Sequence, residues 1–201
     1  MFGIVSYNVG NLASVQNALR KAGVDAIIES NPDKLKEYDK LLLPGVGAFG
    51  DAMEHLRNSG MFEAILEYTK NGKYLLGICL GMQILFEKSC EFGDNFGLGL
   101  IEGEITQIPK SSHEIKIPHA GWNLVNKVRD SALLNGLNDK EYLYFTHSYC
   151  VRNLKNALCF TEYGVKFSSI VNKDNIFGIQ PHPEKSHEVG IKILQNFINL
   201  R

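Results

Sequence analysis

The spacing of apolar positions changes midway along the chain. In the first part, short runs with apolar centres, FGIVSY (2–7), DAIIES (25–30), YDKLLLP (38–44) and YLLGI (74–78), alternate with stretches whose apolar residues recur every three or four positions. Runs of the first kind predict strands, and the recurrences predict amphipathic helices. Leu12 to Ala22 reads as one helix, with Asn11 suited to cap its start and Gly23 to stop it, and Asp51 to Asn71 carries more helical pattern, interrupted near Gly60. Strand and helix in alternation build a parallel sheet with helices on both faces. From Gly97 to Ile179 the character differs. The runs GLIEGEITQI, HEIKIP, EYLYFTHSYCV, NALCFTEY, VKFSSIVNK and NIFGIQ are short and β-rich, are separated by turn residues, and predict antiparallel strands. An amphipathic helix over His187 to Leu200 closes the chain. The expected fold is α/β: an open, mostly parallel sheet with helices on both faces and additional antiparallel strands in the C-terminal half. No linker, repeat or low-complexity stretch interrupts residues 1–201, which are expected to form a single domain.

One junction in this pattern carries chemistry. In KYLLGICLGMQILFE (73–87), Cys79 stands where the strand Tyr74 to Ile78 gives way to a helix-like pattern of Met82, Ile84, Leu85 and Phe86. A free cysteine is most often a small core hydrophobe. Here Gly77 and Gly81 flank it at two residues on either side, the arrangement a sharp strand-to-helix turn needs when its central residue is strained. The same construction with serine is the nucleophile elbow G-x-S-x-G. A thiol at a helix start also meets unpaired N–H groups and the positive end of the dipole, which favour developing negative charge.

Composition narrows the classes. The net charge of −1, from 21 basic and 22 acidic residues with no long run of one sign, gives no support to binding of nucleic acid or an anionic membrane. MFGIVSYNVGN lacks the basic start and long apolar core of a signal peptide, and no stretch approaches a membrane span, so a cytoplasmic protein is expected. The four cysteines, Cys79, Cys90, Cys150 and Cys159, form no C-x-x-C pair and are expected to be reduced. Ligands of open α/β sheets bind at the carboxyl ends of the strands, where NVGN, PGVGAFG and the Cys79 turn fall. Gly45, Gly47 and Gly50 spell G-x-G-x-x-G, the formal signature of a dinucleotide site. That rival is weak, because the motif is not in the first strand-to-helix turn and the next strand ends in Gly77-Ile78-Cys79 rather than an acidic residue. The glycines better suit an exposed backbone whose N–H groups point at a developing negative charge.

A cysteine nucleophile needs a base, and the base an orienting group. Of six histidines, His55 in a helix and His113 in a polar loop are expected in solvent. His119 in PHAGWN and His147 in FTHSYC suit a polar core or a site wall, and His187 starts the last helix. His182, in GIQPHPEKS, follows a strand and has Glu184 two residues on, so an extended segment turns both side chains to one side. Alone this is as compatible with a proline-rich surface turn; beside a cysteine elbow it reads as base and orienter. A free-standing cysteine hydrolase and a non-catalytic binding module are the alternatives of other classes.

GICLGMQ with HPE resembles the triad-type glutamine amidotransferases, which release ammonia from glutamine. YNVGN, LPGVGAFGDAM, GICLGMQILFEKS, PHAGWN, YFTHSY and HPEKS further resemble, in order and spacing, the glutaminase subunits of imidazole glycerol phosphate synthases in histidine biosynthesis. The resemblance spans nearly the whole chain. It implies a flavodoxin-like domain in which Cys79 attacks the glutamine amide, His182 shuttles the proton and Glu184 orients His182. It implies oxyanion donors at Leu80 and in the Val46 and Gly47 segment, and glutamine contacts from Gly47, Gln83, Glu91, His147 and Ser148. Asn11, Trp122, Tyr144 and Lys185 match positions facing a (β/α)8-barrel cyclase subunit, the heterodimer partner that receives the ammonia. Neither a metal nor an organic cofactor is implied. Related subunits supply other acceptors, such as sugars of surface polysaccharides. The chain departs from the family pattern at Pro181, where phenylalanine is usual before the histidine, and at Ala120, where methionine is usual.

Overall fold

A computed structural model describes residues 1–8, 10–110 and 115–201. Its main sheet has nine strands. Five run parallel: β2 (Ile27–Glu29), β1 (Phe2–Val5), β3 (Lys40–Gly45), β4 (Tyr74–Cys79) and β13 (Ile176–Ile179), side by side in that order. The sheet continues antiparallel from β13 through β12 (Val165–Lys173), β11 (Ala157–Tyr163), β8 (His119–Lys127) and β9 (Lys140–His147). A smaller sheet is formed by β10 (Tyr149–Val151), β7 (Ile101–Gln107), β5 (Phe86–Ser89) and β6 (Asn95–Phe96), in that order.

The parallel strands are buried on both faces, which is why their apolar runs are nearly continuous. Phe2 and Ile4 of β1 pack with Leu42, Leu76 and Ile78 on the face covered by helices α1 (Leu12–Lys21) and α5 (His187–Ile198), through Val15, Leu19, Leu194 and Phe197. Val5, Leu41, Leu43 and Leu75 face the other way, onto α2 (Phe49–Asn58), α3 (Met61–Lys70) and the smaller sheet. The punctuation residues act as expected. Asn11 Oδ1 accepts from the Ser14 N–H at 3.3 Å at the start of α1, and Gly60, at φ 75°, separates α2 from α3. Among the described residues no helix is long and apolar enough to cross a membrane.

Four expectations need correction. The helix after Cys79 does not run on through Phe86: α4 is one turn, Leu80–Gln83, and β5 begins at Phe86. Ile84, Leu85 and Phe86 are all 0–1% exposed, burial on every side that the crossing between two sheets supplies and one helix face does not. NIFGIQ pairs antiparallel only with β12; toward β4 it is parallel, with Ile179 opposite Ile78. EYLYFTHSYCV is two strands, since β9 leaves the main sheet at His147 and β10 enters the smaller one at Tyr149. Of HEIKIP, residues 115–118 are not strand, and its start, with His113, lies outside the described residues.

Candidate active site

Strand order builds the site. Cys79 ends β4 opposite Gly45 of β3, and β13 lies on the other side of β4. The chain leaving β13 therefore passes beside Cys79, and three residues past Ile179 it reaches His182.

Cys79 has φ 55° and ψ −113°. A residue with a Cβ in such a region carries roughly 1–3 kcal/mol of strain, a cost typical of functional turns. The flanking glycines make the turn possible by close packing. A Cβ on Gly81 would lie 1.8 Å from the Leu43 carbonyl oxygen, and one on Gly77 would lie 2.5 Å from that of Gly81. Because α4 is a single turn, its macrodipole is small. What it offers an anion is the Leu80 amide, which as a first-turn N–H has no partner within the helix.

His182 is held from three directions. Its N–H donates to the Tyr144 carbonyl at 2.8 Å, its carbonyl accepts from the Ser186 hydroxyl at 2.6 Å, and Nδ1 meets Glu184 Oε1 at 2.7 Å. Both side chains of the His182–Glu184 pair are 4% exposed. Pro181 costs no bond to β12, since the last bond of this segment to that strand is made by the Gln180 N–H to Ser169. Nε2 is buried and has no hydrogen-bond partner. Burial by itself lowers the imidazole pKa, but the Cys79 sulfur, negative once it has given up its proton, and the Glu184 carboxylate outweigh it and raise the value to about 10. An imidazole pinned through Nδ1, with a free Nε2 under the influence of a thiol, is poised to take a proton from that thiol.

Cys79 and His182 line one cavity of about 210 Å³. Val46, Gly47, Leu80, Gln83, Glu91, His147 and Ser148 line the same cavity, so the structure brings together every residue expected around the nucleophile. Glu184 stands behind His182 and not in the cavity wall. Gly47 is at φ 98° with nothing within 4 Å of where a Cβ would be, and Val46 is half-exposed at the mouth. Gln83 donates to the Tyr149 carbonyl and to Gln180 Oε1, both at 2.9 Å. Burial raises the Glu91 pKa, with Asp51 adding to the shift, although Oε2 accepts from the Phe49 N–H at the start of α2 at 2.7 Å.

The expected partner residues lie elsewhere. Trp122, 45% exposed, stacks on His187 at 4.9 Å and meets Tyr144 edge-on at 6.0 Å, and Lys185 Nζ lies 5.7 Å from the Tyr144 ring centre. This is one mixed aromatic and cationic surface. Asn11 is exposed, its side-chain oxygen engaged in capping α1.

Two residues in contact with Cys79 Sγ escaped the sequence reading. Gln180 is 1% exposed, donates to Cys79 Sγ at 3.8 Å and accepts from Gln83. Its signal was available, as it precedes His182 by two extended positions. Thr146, whose carbonyl accepts from the Cys79 thiol at 3.8 Å, gave none, because any residue supplies a carbonyl. His55 is exposed, whereas His119 and His147 are buried against each other. No cluster of three metal-ligating side chains occurs among the described residues.

Comparison with known proteins adds to this geometry. Residues 5–200 match the family model described as glutamine amidotransferase class-I. The imidazole glycerol phosphate synthase subunit HisH of Sulfurimonas denitrificans is 56% identical over the whole chain, which covers 99% of that relative. The subunit of the same name from Bacillus subtilis is 42% identical, again over the whole chain and 96% of the relative. Among solved structures, a glutamine amidotransferase superposes with a TM-score of 0.76 at 17% identity, covering 98% of this chain and 96% of the other. PurLQS from Thermotoga maritima gives 0.73 at 22% identity, covering 98% and 97%; at these identities the likeness shows the fold.

Proposed function

The chain belongs to the class-I glutamine amidotransferase family, and on that premise we propose that it is the glutaminase subunit of an imidazole glycerol phosphate synthase. Residues 1–201 act as a single cytoplasmic domain that hydrolyses glutamine to glutamate and ammonia. Cys79 Sγ attacks the side-chain carboxamide carbon as His182 Nε2 takes the thiol proton. The resulting oxyanion is met by the Leu80 N–H and by an N–H of the Val46 and Gly47 segment. His182 then protonates the departing nitrogen, the C–N bond breaks, and a glutamyl thioester remains on Cys79. Water, deprotonated by His182, attacks the thioester and releases glutamate. Glu184 keeps Nδ1 protonated and stabilises the imidazolium between steps. Gly47, Gln83, Glu91 and the backbone of His147 and Ser148 hold the glutamine.

The ammonia passes to a (β/α)8-barrel cyclase subunit docked against Asn11, Trp122, Tyr144 and Lys185, the heterodimer of histidine biosynthesis. The reading is supported by full-length identity to subunits bearing that name, and the observation that carries the chemistry is the pinned His182 with its buried, unpartnered Nε2. In the assembled complex, Cys79→Ala should abolish glutamate release while leaving assembly intact; substantial glutamate release by that variant refutes the triad. The glycines around Val46 leave the donor peptide more than one orientation, so the chain alone should be slow and the acceptor-loaded complex about 10²–10³-fold faster. Equal kcat in both states means that the oxyanion hole needs no partner.

A further inference from the structure

Behind the cavity wall lies a chain of hydrogen bonds that the reaction as written does not use. Asn123 Nδ2 meets His119 Nε2 at 3.1 Å, His119 Nδ1 meets His147 Nε2 at 2.9 Å, and His147 Nδ1 meets the Tyr149 carbonyl at 2.8 Å. Only one placement of protons satisfies all three contacts. A carbonyl only accepts, so His147 carries its proton on Nδ1 and its Nε2 is a lone pair. His119 must then donate from Nδ1, which leaves its own Nε2 to accept from Asn123. The amide orientation is fixed independently. Asn123 Oδ1 accepts from the Leu124 N–H at 2.7 Å, while Nδ2 also reaches the Glu162 carbonyl at 3.3 Å. Both imidazoles are neutral, both have the same tautomer, and every ring nitrogen is paired. An extra proton on either ring would set N–H against N–H.

The His119 ring is also clamped, stacked at 3.9 Å on Tyr163 and 4.7 Å on Phe145. The chain ends on Tyr149, whose carbonyl also takes the Gln83 amide. It thereby fixes the Thr146 to Tyr149 crossover between the two sheets, the stretch whose backbone lines the cavity beside Cys79. The geometry points to Asn123 and His119 as positioning residues for glutamine: neither reaches the cavity, and both set, through His147, where the wall that holds the substrate stands. This rests on the glutaminase reading for the identity of the substrate, and on distances alone for the relay.

The test has a structural and a kinetic arm. In the ¹⁵N NMR spectrum of the wild-type chain, His119 and His147 should both be neutral and protonated at Nδ1 from pH 6 to 9. An Nε2–H signal from either ring, or a midpoint near 6.5, overturns the relay. Asn123→Asp replaces the donor with an anionic acceptor and should add a proton at His119 Nε2 while Nδ1 keeps its own, making that ring an imidazolium; a ring that gains no Nε2 proton also overturns it. In the cyclase complex, His119→Phe keeps the stacking slot and removes the donor. The KM for glutamine should rise about tenfold, the scale of one lost buried hydrogen bond, with kcat falling less than about threefold. An unchanged KM, or equal losses in kcat and kcat/KM, overturns the positioning role. The ring protons are read without substrate, so a wild-type complex that fails to hydrolyse glutamine refutes the glutaminase reading alone.

Discussion

Two buried histidine pairs flank the same cavity, and their surroundings drive them in opposite directions. His182 has a carboxylate 2.7 Å from Nδ1 and the Cys79 thiol acting on its other side, and its pKa rises to about 10 against the pull of burial. His119 and His147 hydrogen-bond to each other, an amide and a carbonyl, with no carboxylate among these partners. Burial dominates there and lowers their values to about 4 and about 3, with His182 itself among the smaller influences on His147. Burial is common to both pairs, so it does not separate a proton shuttle from a fixed strut. The anionic partner does. One pair is set to hold a proton on its imidazole through the working pH range, and the other is built to stay neutral there.

The largest break in this contrast is Glu184→Gln. It keeps the shape of the side chain and removes the charge that holds the His182 imidazolium and its tautomer. In the complex, kcat should fall roughly 10³–10⁴-fold, the scale seen when the orienting acid of a triad becomes an amide. Thermal stability near neutral pH should fall much less steeply than activity. Wild-type turnover in that variant would mean that something other than Glu184 orients His182.

Acid stability separates the pairs next. His119 and His147 are depressed below the unfolded value near 6.5, so unfolding takes up protons at low pH. Their contribution is complete above about pH 6.5 and is lost as pH falls toward 4 and 3. His182 has the reverse sign: its contribution is complete below about 6.5 and is lost as pH rises through 10. For His119 the shift corresponds to something on the order of 3 kcal/mol. His119→Phe should therefore be less stable than wild type at pH 7.5 and lose much less on going to pH 4.5, measured by urea unfolding. Parallel pH curves for the two proteins would show that the buried pair is not what loosens in acid.

How much of this was legible in the residues follows from what each signal encodes. The parallel strands were, because burial on both faces leaves near-continuous apolar runs, and so was the elbow, because Gly77 and Gly81 allow contacts that any side chain would block. The direction of β13 toward β4 was not, since an apolar run records burial and not which neighbour lies alongside. Nor was the early end of α4: Met82, Ile84, Leu85 and Phe86 fit a helix stripe, and only the second sheet explains why all are buried. His182 and Glu184 were legible through a two-residue spacing. The relay was not, although PHAGWN and FTHSYC were singled out. Its two histidines come from β8 and β9, and only the register that sets His119 opposite His147 makes them a pair.

Cys79→Ala sharpens the contrast from the other side. The Cys79 sulfur is one of the two groups that raise His182, so its removal should lower the imidazole pKa while leaving His119 and His147 where they are. NMR titration of the three rings reads this directly. A His182 midpoint unmoved by the substitution would mean that Glu184 alone sets it. Movement of all three would mean that the pairs are coupled through the cavity rather than independent.

The smallest effect is expected at Lys185, which follows Glu184 in the turn Pro183–Lys185. Its ammonium lies 5.7 Å from the Tyr144 ring centre, an exposed cation–π contact worth roughly 0.5–1 kcal/mol. The Tyr144 carbonyl accepts the His182 N–H, and the Lys185 N–H donates back to the His182 carbonyl at 3.1 Å. A pull on this surface therefore acts on the backbone that carries His182 and Glu184, whereas the hydrogen bonds from His119 end on a different wall. Lys185→Ala should leave hydrolysis by the isolated chain within about twofold and reduce stimulation by the acceptor-loaded cyclase severalfold. The measurement is the ratio of glutaminase kcat with and without acceptor analogue in the assembled complex. A ratio equal to that of wild type would make Lys185 an ordinary solvated side chain and shift the route of coupling to Trp122 and Tyr144.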